Sequence, residues 1–266
     1  MTSLTGHRAR KRFGQNFLID DGVIDQIISA INPKPGDNLV EIGPGQGAIT
    51  RPLLSRAGAL TTIELDRDLA ALLREKYRNS PGFQLIEQDA LTVDFSTLAE
   101  IKPLRIVGNL PYNISTALLF HLLSFQSCVT DMHFMLQREV VERMAAAPGS
   151  RDYGRLSIML QYHCHVAPLF EVPPGAFHPA PKVHSAIVRL IPRRDPDPKV
   201  IDEALFATVV KTCFQQRRKT LRNNLKQVAA VRDPERLPFD LGRRPESLSV
   251  AEFVSLSNEI SLQNES

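Results

Sequence analysis

At 266 residues, 43% of them hydrophobic, the chain is long enough to bury the core of one full α/β domain and still build a small appendage. No apolar run approaches a membrane span, the basic N-terminus lacks an apolar signal region, and the scattered Cys128, Cys164 and Cys213 suggest neither a disulfide framework nor a zinc knuckle. A cytoplasmic protein is expected, with no membrane or metal partner and with idle or buried thiols. The net charge of +3 is unevenly placed. Residues 1–19 hold Arg8, Arg10, Lys11 and Arg12, and residues 211–226 hold Lys211, Arg217, Arg218, Lys219, Arg222 and Lys226, with no acid in either stretch. Taking these +10 charges from +3 leaves −7 for the remainder, and such clustered cations suit a polyanion better than a merely solvated helix face.

In chain order, Gln15 and Asn16 stand between Phe13 and Phe17, where two amides can bond a ligand or simply cap a loop. Asp20 and Asp21 can cap a helix whose Ile24, Ile27, Ile28 and Ile31 form one apolar face before Pro33 and Pro35. Residues 38–42 read as a strand that runs into Gly43-Pro44-Gly45-Gln46-Gly47-Ala48, with Glu41 where the strand runs out. Glycines there let backbone approach a nucleotide-like ligand, but the turn alone does not separate a nicotinamide cofactor from S-adenosylmethionine. A second strand, 60–63, is followed by Glu64, twenty-one residues after Gly43, where an acid reads ribose hydroxyls. A helix with Leu69, Leu72 and Leu73 on one side comes next. A third strand, 83–86, leads to Asp89, which can reach an adenine amino group.

The fourth strand, near 105–108, ends in Asn109-Leu110-Pro111-Tyr112. Pro111 stiffens the exit and contributes no N–H, so carbonyls nearby stay free. The Asn109 side-chain oxygen and the Leu110 carbonyl can then accept the two hydrogens of an exocyclic amine, and the Tyr112 ring offers a stacking face. The plainer alternative is a strand end with an Asn turn. Ser115 can cap a helix reaching Phe125, 132–136 reads as a fifth strand, a helix follows at 137–147, and 154–162 reads as another helix or a helix-to-strand passage. His163 and His165 are expected to share one face opposite Cys164, as structural residues. The proline-rich loop around Phe177 can clamp a base or anchor a hydrophobic loop, and a last strand follows at 186–190. After the Asp195-Pro196-Asp197-Pro198 linker, only helical patterns remain, at 200–214, 217–228 and 250–262. On the second of these, Arg218, Arg222 and Lys226 are spaced four apart and would line one face, flanked by Arg217 and Lys219.

Taken together, Gly14-Gln15-Asn16-Phe17-Leu18, Glu41-Ile42-Gly43-Pro44-Gly45, Ile63-Glu64-Leu65-Asp66, Gly108-Asn109-Leu110-Pro111-Tyr112-Asn113 and Phe177-His178-Pro179-Ala180-Pro181-Lys182-Val183 resemble the ribosomal RNA adenine N6,N6-dimethyltransferases, over nearly the whole chain. Gln137-Arg138-Glu139-Val140, Tyr153-Gly154-Arg155-Leu156-Ser157 and the basic run 214–222 resemble the KsgA branch, which modifies two adjacent adenosines near the 3′ end of small-subunit (16S) ribosomal RNA. The sister branch, antibiotic-resistance enzymes acting on a large-subunit adenosine, generally lacks that basic run.

The resemblance implies an α/β fold: a Rossmann-like seven-stranded S-adenosylmethionine-dependent methyltransferase sheet over residues 1–192, its last strand antiparallel. A helical RNA-binding domain over 193–266 follows. It implies S-adenosylmethionine as cofactor, held by Asn16, Leu18, Gly43, Glu64, Asp89 and Asn109. Catalytic roles are implied for Asn109, Leu110, Pro111, Tyr112 and Phe177, and RNA contacts for Arg217, Arg218, Lys219, Arg222 and Lys226. The partner implied is small-subunit RNA in an assembling 30S-type subunit, with the chain acting as a monomer. A DNA adenine methyltransferase, a nicotinamide oxidoreductase and a non-catalytic assembly factor remain as alternatives.

Overall fold

The computed structural model describes residues 16–231 and 233–265; Arg8, Arg10, Lys11, Arg12, Phe13, Gly14 and Gln15 lie outside them. Helix α1 (Asp21–Ile31) begins where expected, with the Asp20 carboxylate accepting from Val23 N at 3.0 Å. It ends one residue before Pro33, on Asn32 in the left-handed conformation at φ 48°. Strand β1 (Asn38–Ile42), helix α2 (Thr50–Ala57), strand β2 (Leu60–Glu64), helix α3 (Arg67–Tyr77) and strand β3 (Phe83–Glu87) follow as βαβ units. Then come β4 (Leu104–Asn109), α4 (Ser115–Leu123), β5 (Val129–Gln137), α5 (Arg138–Ala145), α6 (Arg155–His163), β6 (Cys164–Val172) and β7 (Ser185–Pro192).

The seven strands form one sheet in the order β3-β2-β1-β4-β5-β7-β6. β1 to β5 pair in parallel, whereas β7 enters antiparallel to β5, with Phe134 opposite Val188. Strand reversal between β1 and β4 places the strand tips that carry Glu64 and Asn109 around one crevice, the usual ligand position in such sheets. The strand β6 follows α6 directly at Cys164, which is the helix-to-strand passage that the sequence left open there. Its Pro168 cannot donate to a ladder, and β6 lies at the edge, where a missing N–H costs nothing. A short ladder pairs Phe17–Leu18 with Phe177–His178 and ties the segment before α1 to the loop before β7.

The core beneath α1 gathers Ile27, Ile28 and Ile31 with Leu39, Val107, Met135 and Ile187 of the sheet. Arg105 fastens the end of α1 to that sheet. Its guanidinium donates to Ile31 O at 2.6 Å and to Asp37 and Asp131 at 2.6 and 2.9 Å, so one half-buried cation satisfies a helix-end carbonyl and two acids.

The chain divides into two compact units, one comprising the described residues up to Val141 with Ala167–Pro192, the other Glu142–Val166 with Arg193–Ser266. The second unit therefore takes in residues 142–166, which a single cut after 192 would leave with the sheet. The reason is apolar: α6 is buried nearly all round, and Tyr162 meets Phe206 at 5.0 Å between ring centroids. Within that unit α7 (Glu203–Gln215) and α9 (Val250–Glu265) pack on α6. His163 and Cys164 are buried while His165 is exposed, because the helix gives way to the strand between them and breaks the expected alternation.

The predicted helix over 217–228 is not there. α7 buries Phe206, Val209, Val210 and Cys213, and continuing that stripe would turn Arg217 into the core. The chain instead turns through 216–220 and restarts as α8 (Leu221–Leu225), burying Leu221, Asn224 and Leu225, with the Leu221 and Arg222 amides bonded to Arg243 O and Leu241 O.

Arg243 also clasps Glu252 on the first turn of α9, where Ser249 N adds a 2.7 Å bond to the same carboxylate. The Arg243 hydrogen bond, then that of Ser249, holds the Glu252 carboxyl down at about 2, against an ordinary value of 4.5. Folding thus favours the ionised form: the stabilisation is complete above about 4.5 and is lost as pH falls toward 2. Glu252→Gln should lower the melting temperature near neutral pH and lose that effect near pH 2, as circular-dichroism melts would show.

Candidate functional site

At the carboxyl ends of β1, β2, β3 and β4 lies a cavity of about 360 Å³, within the ordinary range for small-molecule sites. Its wall includes Asn16, Leu18, Gly43, Glu64, Asp89 and Asn109, so the structure brings together all six positions expected to hold a cofactor. Leu110, Pro111 and Tyr112 line the same cavity. Phe177 does not. It is 3% exposed and packs in the core under α1, its backbone paired with Leu18, as the hydrophobic-anchor reading of the proline-rich loop describes.

Glu64 is the most constrained acid of the site. One oxygen accepts from Asp66 N at 2.9 Å and the other from Gly45 N at 3.3 Å. Burial raises its pKa above the usual 4.5, opposed by these two backbone bonds. Gly45 sits at φ 57°, and a Cβ there would come within 3.3 Å of the Phe17 ring, so the turn needs glycine on both counts. Asp89 caps the short turn after β3 by accepting from Leu91 N at 3.0 Å, which leaves its carboxylate facing the cavity. Glu41, by contrast, does not end its strand as an open acceptor. It is 1% exposed, takes a 2.7 Å hydrogen bond from Thr50 Oγ1, and burial pushes its pKa up to about 8, so it is protonated at neutral pH.

Asn109 is oriented by a contact the sequence did not foretell. Its amide nitrogen donates to Asn16 O at 3.2 Å, which turns Oδ1 away to act as a free acceptor. Gly108 just before it lies so close to β1 that a Cβ would stand 2.5 Å from Ile42 O. Leu110 N donates to Met135 O at 3.2 Å, while among the described residues no donor reaches Leu110 O. The Tyr112 hydroxyl is 2.7 Å from Ser185 Oγ on β7, and its carbonyl accepts from Ser115 Oγ at 3.1 Å. The ring is therefore held at its hydroxyl end and the residue's backbone at its carbonyl. Ser115 is the first residue of α4 rather than its cap, and its hydroxyl serves the turn instead.

In the second unit, Arg217, Arg218 and Lys219 are exposed in the turn between α7 and α8, Arg222 is on α8 and Lys226 ends it. They do not form one helical stripe. Arg222 pairs with Glu235, and Arg217 donates to Arg151 O at 3.0 Å, so the tight cationic group is the turn itself. Among the described residues, no group of three His, Cys, Asp or Glu side chains could hold a metal ion, and no helix is long and apolar enough to cross a membrane.

A parallel five-stranded core with an antiparallel strand inserted beside β5, and acids at successive strand tips around one crevice, is the S-adenosylmethionine-dependent methyltransferase fold. The family model of the ribosomal RNA adenine dimethylases matches residues 6–261, and the chain belongs to that family. It is 56% identical to ribosomal RNA small subunit methyltransferase A of Hahella chejuensis, over 98% of this chain and 97% of that one. Among solved structures, a dimethyladenosine transferase from Plasmodium falciparum aligns with TM-score 0.76 and 27% identity, over 90% of this chain and 95% of that one. The 23S rRNA methyltransferase ErmE aligns with TM-score 0.68 and 26% identity, over 92% and 100%. The nicotinamide oxidoreductase reading of the glycine turn falls with these matches.

Proposed function

We propose that the protein transfers methyl groups from S-adenosylmethionine to N6 of two adjacent adenosines near the 3′ end of small-subunit ribosomal RNA, acting as a cytoplasmic monomer on an assembling 30S-type subunit. The observation that carries the reading is the orientation of Asn109, whose amide nitrogen is spent on Asn16 O so that Oδ1 and the unpartnered Leu110 O present two acceptors together. An adenine amine has two hydrogens to give. Its lone pair is delocalised into the ring, and donating both hydrogens to these acceptors draws N6 toward a tetrahedral shape with the lone pair directed out of the ring plane.

The bound cofactor would supply an activated methyl group as its sulfonium. Glu64 would hold its ribose diol, Asp89 its adenine amine, and Asn16, Leu18, Gly43 and Asn109 the remaining wall. The cavity suits such a group, since acids stand at adjacent strand tips around it. Tyr112, fixed through Ser185, would stack on a base taken out of its helix, with Pro111 keeping the turn rigid. The test is transfer of labelled methyl groups to small-subunit RNA, naked and in assembling subunits, with the product mapped by mass spectrometry. Methylation of two adjacent adenosines supports the reading, and RNA binding without transfer would leave only an assembly factor.

RNA contacts by the basic turn follow from its exposed charge and give a separate expectation. Replacing Arg217, Arg218 and Lys219 with Gln should weaken RNA binding and flatten its salt dependence by about 0.7 to 0.9 log unit per lost phosphate contact. Arg222→Gln should do less, because Glu235 already neutralises that cation. Filter binding at several salt concentrations measures both, and cofactor affinity should not change.

A further inference from the structure

Behind the strand tips the cavity reaches inward between α1 and the sheet, where His133 joins Ile27, Ile31, Met135 and Ile187 in its wall. His133 of β5 pairs with Val107 of β4 and Arg189 of β7, and Val107 belongs to the core under α1, so the imidazole faces that lobe. It is 3% exposed, yet neither ring nitrogen has a hydrogen-bond partner. A neutral imidazole carries one donor and one acceptor, and burying both unmet is costly unless something within the cavity meets them.

The charged surroundings are few. Asp131 Oδ2 stands 4.0 Å from Nδ1, Arg105 and Arg189 bond that same carboxylate, and Glu41 lies two strands away in the same register row. From α1 only Ile27 and Ile31 line the lobe. Burial drives the His133 pKa down to about 4, offset in part by Asp131 and reinforced by the Arg189 and Arg105 charges, so the ring is neutral and has a lone pair to offer at physiological pH. Asn109 pairs with Met135, two residues past His133 along the strand, which makes Asn109 and His133 diagonal neighbours on one face, about 8 Å apart at Cα by sheet geometry.

We propose that His133, through water in this inner lobe, takes up the proton that the adenine amine loses as it is methylated; the inference rests on the amine-reading role of Asn109 and Leu110. As N6 uses its lone pair to bond the methyl carbon, the electron pair of the broken carbon–sulfur bond stays with sulfur, and N6 is left with four bonds and a positive charge. One N–H bond then gives its proton to the water, which passes one of its own to a ring nitrogen of His133, while N6 keeps the electron pair and regains conjugation with the purine. That nitrogen is strongly acidic, because delocalisation returns only when the proton leaves, so a weakly basic buried imidazole is sufficient. Asp131 stabilises the imidazolium until the proton returns to cavity water.

Full-length His133→Ala and His133→Gln, each checked by thermal unfolding, test the relay. Single-turnover transfer should fall at least about tenfold in both, with cofactor and RNA affinities unchanged. Free imidazole should restore transfer by His133→Ala, whereas pyrrole, a ring of the same size without a basic nitrogen, should not. Independently of activity, nitrogen NMR of the wild-type ring should show a neutral imidazole at pH 7 whose proton exchange is coupled to water. Wild-type transfer by folded His133→Gln, or rescue by pyrrole equal to that by imidazole, overturns the relay, and if His133→Ala does not fold His133→Gln decides alone. Failure of the wild-type protein to methylate adenine would instead overturn the function beneath it.

Discussion

Asn109→Ala should lower single-turnover methyl transfer by about a hundredfold or more while leaving RNA affinity nearly unchanged. Removing one preorganised hydrogen-bonding group at a reacting atom costs on the order of 10² to 10³ in rate, and the interaction lost here is one that strengthens as N6 changes shape. The side chain does two things in the structure, donating to Asn16 O at 3.2 Å and presenting Oδ1 to the cavity. Asn109→Asp separates them. A carboxylate keeps an acceptor for the amine but sets negative charge against the Asn16 carbonyl, so it should lose cofactor affinity together with rate. If both variants transferred methyl groups at the wild-type rate in a rapid-quench experiment, Asn109 would have no part in the chemistry.

The positions that sequence made legible share one physical property: they lie at or just past strand ends. Glu64, Asp89 and Asn109 follow short β-branched or apolar runs, and in a parallel sheet the carboxyl ends of such runs converge without further information. Glu41 looked equivalent but differs, because it lies one residue inside β1 and, although it lines the cavity, it is buried and one of its oxygens is taken by Thr50 of α2. Long-range pairings were beyond reach of local patterns. Nothing near Arg105 announces Asp37 or the carbonyls at the end of α1, and nothing near Asn109 announces Asn16.

The basic run shows how a periodicity argument fails. Four-residue spacing of Arg218, Arg222 and Lys226 is real in the sequence, yet helix continuation was decided by the opposite face, where Arg217 would have followed Cys213 into the core. The same holds for Phe177, whose proline-rich surroundings suggest a rim. Its ring goes instead to the apolar space under α1, beside Leu18 and Ile187. Residues 142–166 join the helical unit for a related reason, since α6 has no polar face to leave in solvent.

Glu64→Ala should weaken S-adenosylmethionine binding by roughly ten- to a hundredfold, since a charge-assisted hydrogen bond of the kind proposed for the ribose diol is worth about 1.5 to 3 kcal/mol. The structure adds a second route to the same loss. Glu64 also accepts from the Gly45 and Asp66 amides, so the truncation releases the glycine turn that shapes the cavity. Glu64→Gln keeps one acceptor, because its amide can accept one of these N–H groups but must turn its NH₂ toward the other. Its cofactor affinity should therefore fall between wild type and Ala. The sign of the pH dependence is also fixed. Burial raises the Glu64 pKa above 4.5, so the carboxylate is lost, and with it cofactor affinity, at a higher pH on acidification than for an exposed glutamate. Isothermal titration calorimetry across that range should show the wild-type affinity falling as pH drops, with a flat profile for Glu64→Ala. Equal affinity in the folded variant and the wild type near neutral pH would remove Glu64 from the cofactor site.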